Sequence, residues 1–374
     1  MSGLVSVFAP QLQILLIMLA VLAAMWGSAW TGRRYDWAVA IWPGRASLPL
    51  LLSAFLISLS LGRHVLYLPD GLLWIAAFAL HYDLVRRNDA ALDAQQDMLR
   101  FWQFAVHAGT VWLLTLVLAD CLQFGIDKGG LWNTSWAGVI FLISAIAVLM
   151  ALTRWAGKTA PGELKLGWPL NPHGRAYFWV AAVPLAILVY LGALVTAIFA
   201  SGVTDPLPYI PLLNPVDLSL GLALVSLALW RQMVASADPL PAGAGQLVGR
   251  QALISGAVLG FVSINGIWLR TAHHWLGVEW SGAALSGSAV VQTGLSILWT
   301  LLAMALMLLA GRRASRIGWL TGAGLLGIVV LKLLLVDMSS AQGGQRIITF
   351  IGVGILMLVI GYFVPLPPRK GVPK

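Results

Sequence analysis

The chain reads as an all-α, polytopic transmembrane helical bundle of about 11 spans, with its N-terminus outside and its C-terminus inside. Three observations predict this class. Of 374 residues, 59% are hydrophobic and only 10% are charged, and the mean hydropathy is +0.86, more than a soluble core accounts for. Apolar runs recur near the length that crosses a hydrocarbon core. They are rich in Leu and Ala with Gly and Trp, without the in/out alternation of outer-membrane strands, so helices are expected rather than a barrel. Finally, Lys and Arg fall between the runs in a regular alternation.

The first run, "LQILLIMLAVLAAMWGSAW", has no Lys or Arg before it and "GRRYDW" after it. That is the reverse of a secretory signal, so a retained helix is expected over 10–31. Further spans are expected at 47–62, 71–86, 101–124, 135–153, 176–200, 216–235, 248–270, 288–310, 317–337 and 347–364, the second and third being short for a full crossing. Counted connection by connection, Lys and Arg number three, one, three, one, four, none, two, one, three and one, with three more in the tail. Basic connections belong on the cytoplasmic side, which turns the odd connections and the tail inward and the even ones toward the periplasm. An extra or missing helix would scramble these counts.

Local signals refine the spans. Trp26, Trp30, Trp132, Trp136, Trp275 and Trp280 fall near the expected interfaces, as an aromatic belt requires. The segment from His81 to Arg100 mixes charges at helical spacing and is read as extending its flanking helices into the cytoplasm. In "TDPLPYIPLLNPVD" repeated prolines stiffen the third outward loop, and Asn214 followed by Pro215 is a helix start, with Asp217 complementing the first turn. Pro184 is expected to kink the sixth span. Gly256 with Gly260, and Gly318 with Gly322, stand one turn apart and are expected to let neighbouring helices of this chain approach closely. No internal repeat is evident, and residues 1–374 are taken as a single transmembrane domain.

The net charge of +9 and pI near 10.1 do not indicate nucleic acid, because the basic residues sit between spans rather than on one soluble face. Cys121 is the only cysteine, which excludes an intrachain disulfide and a thiolate metal cluster.

Ionisable groups near the ends of lipid-facing helices are costly and need a partner, water or a role. The topology gathers such groups on the outward face: Arg63 and His64, then Arg270, His273, His274 and Glu279 in "IWLRTAHHWLGVEW", then Lys332, Asp337 and Arg346. Arg270 precedes the two histidines by three and four residues, so on a helix it neighbours both, while the histidines diverge by about 100°. That divergence makes them poor joint chelators, and no metal ligands are assigned. A permanent cation beside an imidazole favours its neutral, proton-accepting form, which a general base requires. The competing reading is that this stretch only caps the eighth span. Lys332 is expected to snorkel outward to Asp337 or Glu279 or to meet substrate directly. His107, Asp120 and Gln292 are read as helix-to-helix hydrogen bonds, and His173 in "NPHGRAY" as part of an inward helix start.

The runs "LPYIPLLNPVDL", "INGIWLRTAHHWLGVEW", "VQTGLSILWTLLAMALMLL", "VVLKLLLVDMSS" and "QRIITFIGVGILMLVIGYFVPLPP" resemble the domain-of-unknown-function family 2339, multi-pass membrane proteins of bacteria. The resemblance is specific over 201–368 and weaker over 1–200, like the C-terminal part of longer members. It implies residence in the bacterial inner membrane and draws attention to Asn214, Arg270, His273, His274, Lys332, Asp337 and Arg346, without lending them roles or naming a cofactor.

Three classes of function stay open. In the first, an outward cationic, histidine-containing site acts on an anionic or lipid-linked cell-envelope compound, with His273 or His274 as base, Glu279 or Asp337 orienting it, and Arg270, Lys332, Arg346, Arg63, His64 and Asn214 binding substrate. The second is a transporter or flippase with Lys332 and Asp337 on its pathway. The third is a structural or assembly subunit of an envelope complex. Membrane lipids are partners in all three.

Overall fold

The computed structural model describes residues 2–91, 97–157, 167–237 and 241–333 with positions 351, 354, 355 and 358, and side chains from Leu12 onward apart from Ala38. Among these residues every regular element is helical. The longer helices are α1 (Ser2–Arg34), α2 (Ser47–Ser60), α3 (Asp70–Ala90), α4 (Asp97–Gly129), α5 (Ile140–Gly157), α6 (Ala182–Phe199), α7 (Pro215–Ala235), α8 (Arg250–Leu276), α9 (Ala289–Arg312) and α10 (Arg316–Lys332). Each occupies one of the apolar runs. Most of the eleventh expected span, 347–364, lies outside the described residues.

Among the described residues six helices are long and apolar enough to cross a membrane, or seven if the bent pair Val39–Arg45 and Ser47–Ser60, with a 52° break, is one span. Of the eleven expected spans, 317–337 and 347–364 run into residues outside the described ones, and the others absent from this set fall short for local reasons. α2 has 14 residues. α3 ends in the charged run "YDLVRRNDA". The apolar part of α5, Ile140–Ala156, is also too short. The charged helical spacing after His81 is expressed as expected, since α3 continues to Ala90 and α4 already begins at Asp97.

Helix starts follow their capping residues. Asn214 accepts from Asp217 N at the start of α7, Ser288 from Val291 N at α9, and Ser315 from Gly318 N at α10. Before α6, residues Ala176–Ala181 form a π-helical stretch. It lies immediately ahead of Pro184, whose ring would clash with the carbonyl four residues back, and a widened turn relieves that clash.

The chain divides into two compact units, Met1–Ser263 and Ile264–Lys374, with the boundary inside α8. In the first unit one apolar cluster joins α1 to α4 around Met18, Leu51, Phe55 and Trp74, and a second joins α4 to α8 around Leu149, Tyr177, Val189, Leu220 and Leu259. α6 shows how a span is sorted. Ala182, Ala186, Val189, Ala193 and Ala197 are buried at helical spacing, while Leu188, Leu191, Val195 and Ile198 on other faces are 49%, 51%, 56% and 50% exposed. Large exposed apolar faces of this kind suit lipid, where small residues form the helix contacts. In the second unit α9 and α10 pack closely. A Cβ on Gly322 would lie 2.6 Å from Met307 Cγ and 2.9 Å from the Ala303 carbonyl oxygen, so this glycine is needed for the approach. Gly256 and Gly260 behave differently from expectation, since a Cβ on either would meet no atom within 4 Å.

Candidate metal centre

A concentrated polar assembly in the first unit forms where the C-terminal end of α3 meets the N-terminal part of α4 and the turn ahead of the π-helical stretch. α4 turns Gln103, Val106, His107, Thr110 and Val111 inward at helical spacing. Gln103 donates to the Val85 carbonyl at 3.0 Å, fixing α4 against α3. One layer further on, His81 bridges Ser47 at 2.8 Å and Thr110 at 3.0 Å, which ties α2, α3 and α4 together.

On this scaffold Asp89 is a shared acceptor. His107 Nε2 lies 3.1 Å and His173 Nε2 lies 2.9 Å from its Oδ2, and Trp168 Nε1 donates to the same atom at 2.7 Å. The imidazoles of His107 and His173 stack with centroids 3.8 Å apart. The other nitrogen of His107, Nδ1, is 3.0 Å from the Tyr177 hydroxyl in the π-helical stretch. The His107 side chain is 1% exposed, Asp89 12% and His173 22%, so the group is closed on the α4 side and open on the other. Burial alone would raise the Asp89 carboxyl, but hydrogen bonds from His107, His173 and Trp168 outweigh it and hold the carboxyl well below the usual carboxylate range.

Ligand atoms of Asp89, His107 and His173 all lie within 4.8 Å of one another. Two imidazole nitrogens and one carboxylate oxygen suit a divalent first-row transition ion and leave coordination positions free for water or a ligand. Tyr177 on His107 Nδ1 is the outer partner that orients a metal-binding imidazole and fixes which nitrogen faces the ion. Asp89 and His173 also line a pocket of about 580 Å³, together with Arg86, Arg100, Gln103 and Trp168. Its two guanidinium groups suit an anion.

The residues singled out in the sequence are distributed otherwise. In the first unit Arg63 donates to Asp70 Oδ2 through Nε at 3.1 Å and Nη2 at 2.7 Å, and its guanidinium stands 4.5 Å from the Tyr67 ring centre. His64 Nδ1 is 2.9 Å from Asp120 Oδ1, and Asp120 Oδ2 accepts from Val65 N at 2.7 Å, so Asp120 ties α4 to the connection between α2 and α3 rather than to another helix as expected. Asn214 is buried as the cap of α7, and its Nδ2 donates to Asp217 Oδ2 at 2.6 Å.

In the second unit Arg270 is fully buried. His273 Nδ1 meets the Val278 carbonyl at 2.7 Å, the rings of His273 and His274 are 4.6 Å apart, and Glu279 is exposed. Lys332 Nζ donates to the Gln292 carbonyl at 3.0 Å and to Ser296 Oγ at 2.8 Å. Asp337 and Arg346 lie outside the described residues.

Asp89, His107 and His173 were not assembled by the sequence reading. They are separated by 18 and 84 residues from Asp89 and form no motif. The signal that was available is topological: the alternation of basic connections assigns the third and fifth connections and the start of the fourth span to the same side.

Fold and site together define a polytopic helical membrane protein with several candidate spans and a metal-competent polar cluster at one end of its helices. Residues 2–367 match the family of predicted membrane proteins designated DUF2339, and the chain belongs to that family. The match covers nearly the whole chain, beyond the C-terminal part that carried the resemblance in the sequence. No curated protein and no solved structure matches it.

Proposed function

We propose that this protein spans the bacterial inner membrane eleven times with its N-terminus outside, and that its cytoplasmic end carries a divalent transition-metal centre on Asp89, His107 and His173. The pocket beside it receives an anionic compound, held by Arg86 and Arg100 and presented to the open coordination positions of the ion. The carrying observation is the convergence of three ligand atoms within 4.8 Å, with Tyr177 behind one of them.

The topology is supported by the alternation of basic connections and by which segments touch. Asp89 and Trp168, from the third and fifth connections, meet at 2.7 Å. Ser135 N, at the end of the fourth connection, donates to the Val203 carbonyl of the sixth at 2.8 Å. Odd meets odd and even meets even.

Metal analysis of the purified full chain tests the centre: about one equivalent of zinc, manganese or iron is expected, lost from His107→Ala and from Asp89→Ala. Full metal content in both variants would end the reading. For the topology, Cys121→Ser combined with a cysteine at position 279 should react with a membrane-impermeant reagent in intact cells, and protection there would invert the arrangement.

A second reading rests on His273. In the tautomer that donates Nδ1–H to the Val278 carbonyl, His273 has its lone pair on Nε2, in the same helix as the buried Arg270. In that reading His273 or His274 is a base on the outward face, Arg270 and Lys332 hold a phosphate or carboxylate of an envelope compound, and Glu279 orients the base. Full cellular activity of a folded His273→Ala, His274→Ala double variant would exclude it.

A further inference from the structure

A second cavity lies within the first unit, between α6, α7 and the start of α8, with a volume of about 650 Å³. Its wall is mainly apolar, with Ile187, Tyr190, Leu191 and Leu227 along it, and it ends at Trp230 and Arg231. The three helices that form it each qualify as a membrane span, so the medium at its mouth is the bilayer. No acidic side chain is among its described lining residues.

Its polar end is incompletely satisfied. Trp230 is 4% exposed, and it stacks on Trp179 at 6.4 Å with planes 12° apart. Its buried indole Nε1 has no hydrogen-bond partner among the described residues. Arg231 uses Nη2 to donate to the Val248 carbonyl at 2.5 Å, but its buried Nε has no partner either. Buried donors are normally paired, so two adjacent unpaired ones at the head of an apolar groove point to an acceptor supplied from outside the chain. Gln246 and Gln251 stand exposed at the rim and offer further hydrogen bonds. Gly256, open at its Cβ position, is what keeps the floor clear.

We infer that this groove is a binding site for an anionic phospholipid: an acyl chain lies along Ile187, Leu191 and Leu227, the phosphate accepts from Arg231 Nε, and an ester carbonyl accepts from Trp230 Nε1. The length of apolar wall distinguishes a lipid from a free anion, and a guanidinium with no acidic neighbour among the described lining residues distinguishes an anionic headgroup from a zwitterionic one. Arg231 and the connection after it are on the inward side by the basic-residue count, the leaflet where basic pockets between helices meet anionic headgroups. The site is separate from the metal centre and stands whether or not that centre holds an ion.

The test is native mass spectrometry of the full chain in neutral detergent, titrated with phosphatidylglycerol and with phosphatidylcholine of the same acyl chains. Retention of phosphatidylglycerol is expected to be about tenfold stronger, and Arg231→Gln is expected to remove that preference, as loss of a charge-assisted hydrogen bond implies. Gly256→Leu, which fills the groove without removing a polar group, should weaken binding of both lipids in a protein that elutes as the parent does. Equal retention of the two lipids overturns the proposal, as does an undiminished preference in Arg231→Gln or undiminished binding of both lipids in Gly256→Leu. Displacement of phosphatidylglycerol by millimolar glycerol phosphate would also overturn it, by identifying the site as one for a free anion.

Discussion

The cluster around Asp89 and the end of α8 differ in how they bring polar groups together. Arg270, His273, His274 and Glu279 crowd into ten residues of one chain segment, and the bond from His273 Nδ1 to Val278 O closes the same helix locally. Asp89, His107, Trp168, His173 and Tyr177 are spread over 89 positions and converge on one carboxylate and one ring stack. Density along the sequence is partly what a helix end requires, since its last carbonyls need donors. Convergence from separate segments has no such local explanation, and ordering those groups costs conformational entropy that the fold must offset.

The largest effect that would sharpen this contrast is expected from Asp89→Ala. It leaves the two imidazoles and the Trp168 indole without their common acceptor, and should lower stability by about 3 kcal/mol as well as abolish metal retention. Thermal unfolding in detergent, with and without added zinc, reads both. A loss under about 0.5 kcal/mol would mean the three donors find water as readily as the carboxylate.

Next in size, Tyr177→Phe touches no ligand atom, but it should weaken metal affinity roughly 10- to 100-fold by releasing the outer nitrogen of His107. An unchanged affinity would reduce the hydroxyl to packing.

The pH dependence follows from the Asp89 carboxyl, which the folded state holds below its ordinary range. Its contribution is fully present above the unfolded carboxylate value of about 4 and is lost as pH falls through the folded value. Melting curves between neutrality and acid should therefore be less steep in Asp89→Asn than in the parent, and parallel curves would remove Asp89 from the acid response.

The smallest effect is expected at the other region. His273→Ala removes one hydrogen bond at the end of α8 and should cost about 1 kcal/mol, with no change in metal content. A loss of metal from this variant would erase the distinction between the two regions.

The positions of the helices were legible because hydropathy and charge alternation act over a whole span, and noise at single residues averages out. The caps at Asn214, Ser288 and Ser315 are local chemistry and can be read where they stand. Three kinds of feature were not legible. Gly256 and Gly318 carry the same spacing signal, but only the structure distinguishes a glycine that admits a neighbour from one that opens onto a groove. Lys332 was expected to reach Asp337 or Glu279 or to meet substrate; Asp337 lies outside the described residues, and Lys332 donates to Gln292 O and Ser296 Oγ on α9, contacts 40 and 36 residues away that no local pattern encodes. His107 and His173 each had an adequate explanation alone, and their common acceptor emerges only when two connections and a helix are brought to one place.

The widened turn over Ala176–Ala181 sets a constraint on chain length rather than on composition. Because it carries one residue more per turn than its α-helical continuation, removing a single residue there would restore the ordinary repeat and rotate everything upstream by about 100° about the axis. His173 and Tyr177 would then swing away from His107 even though every side chain was still present. Conservative exchanges such as Phe178→Leu leave that indexing intact, so across related chains this stretch should drift in identity while keeping its number of residues.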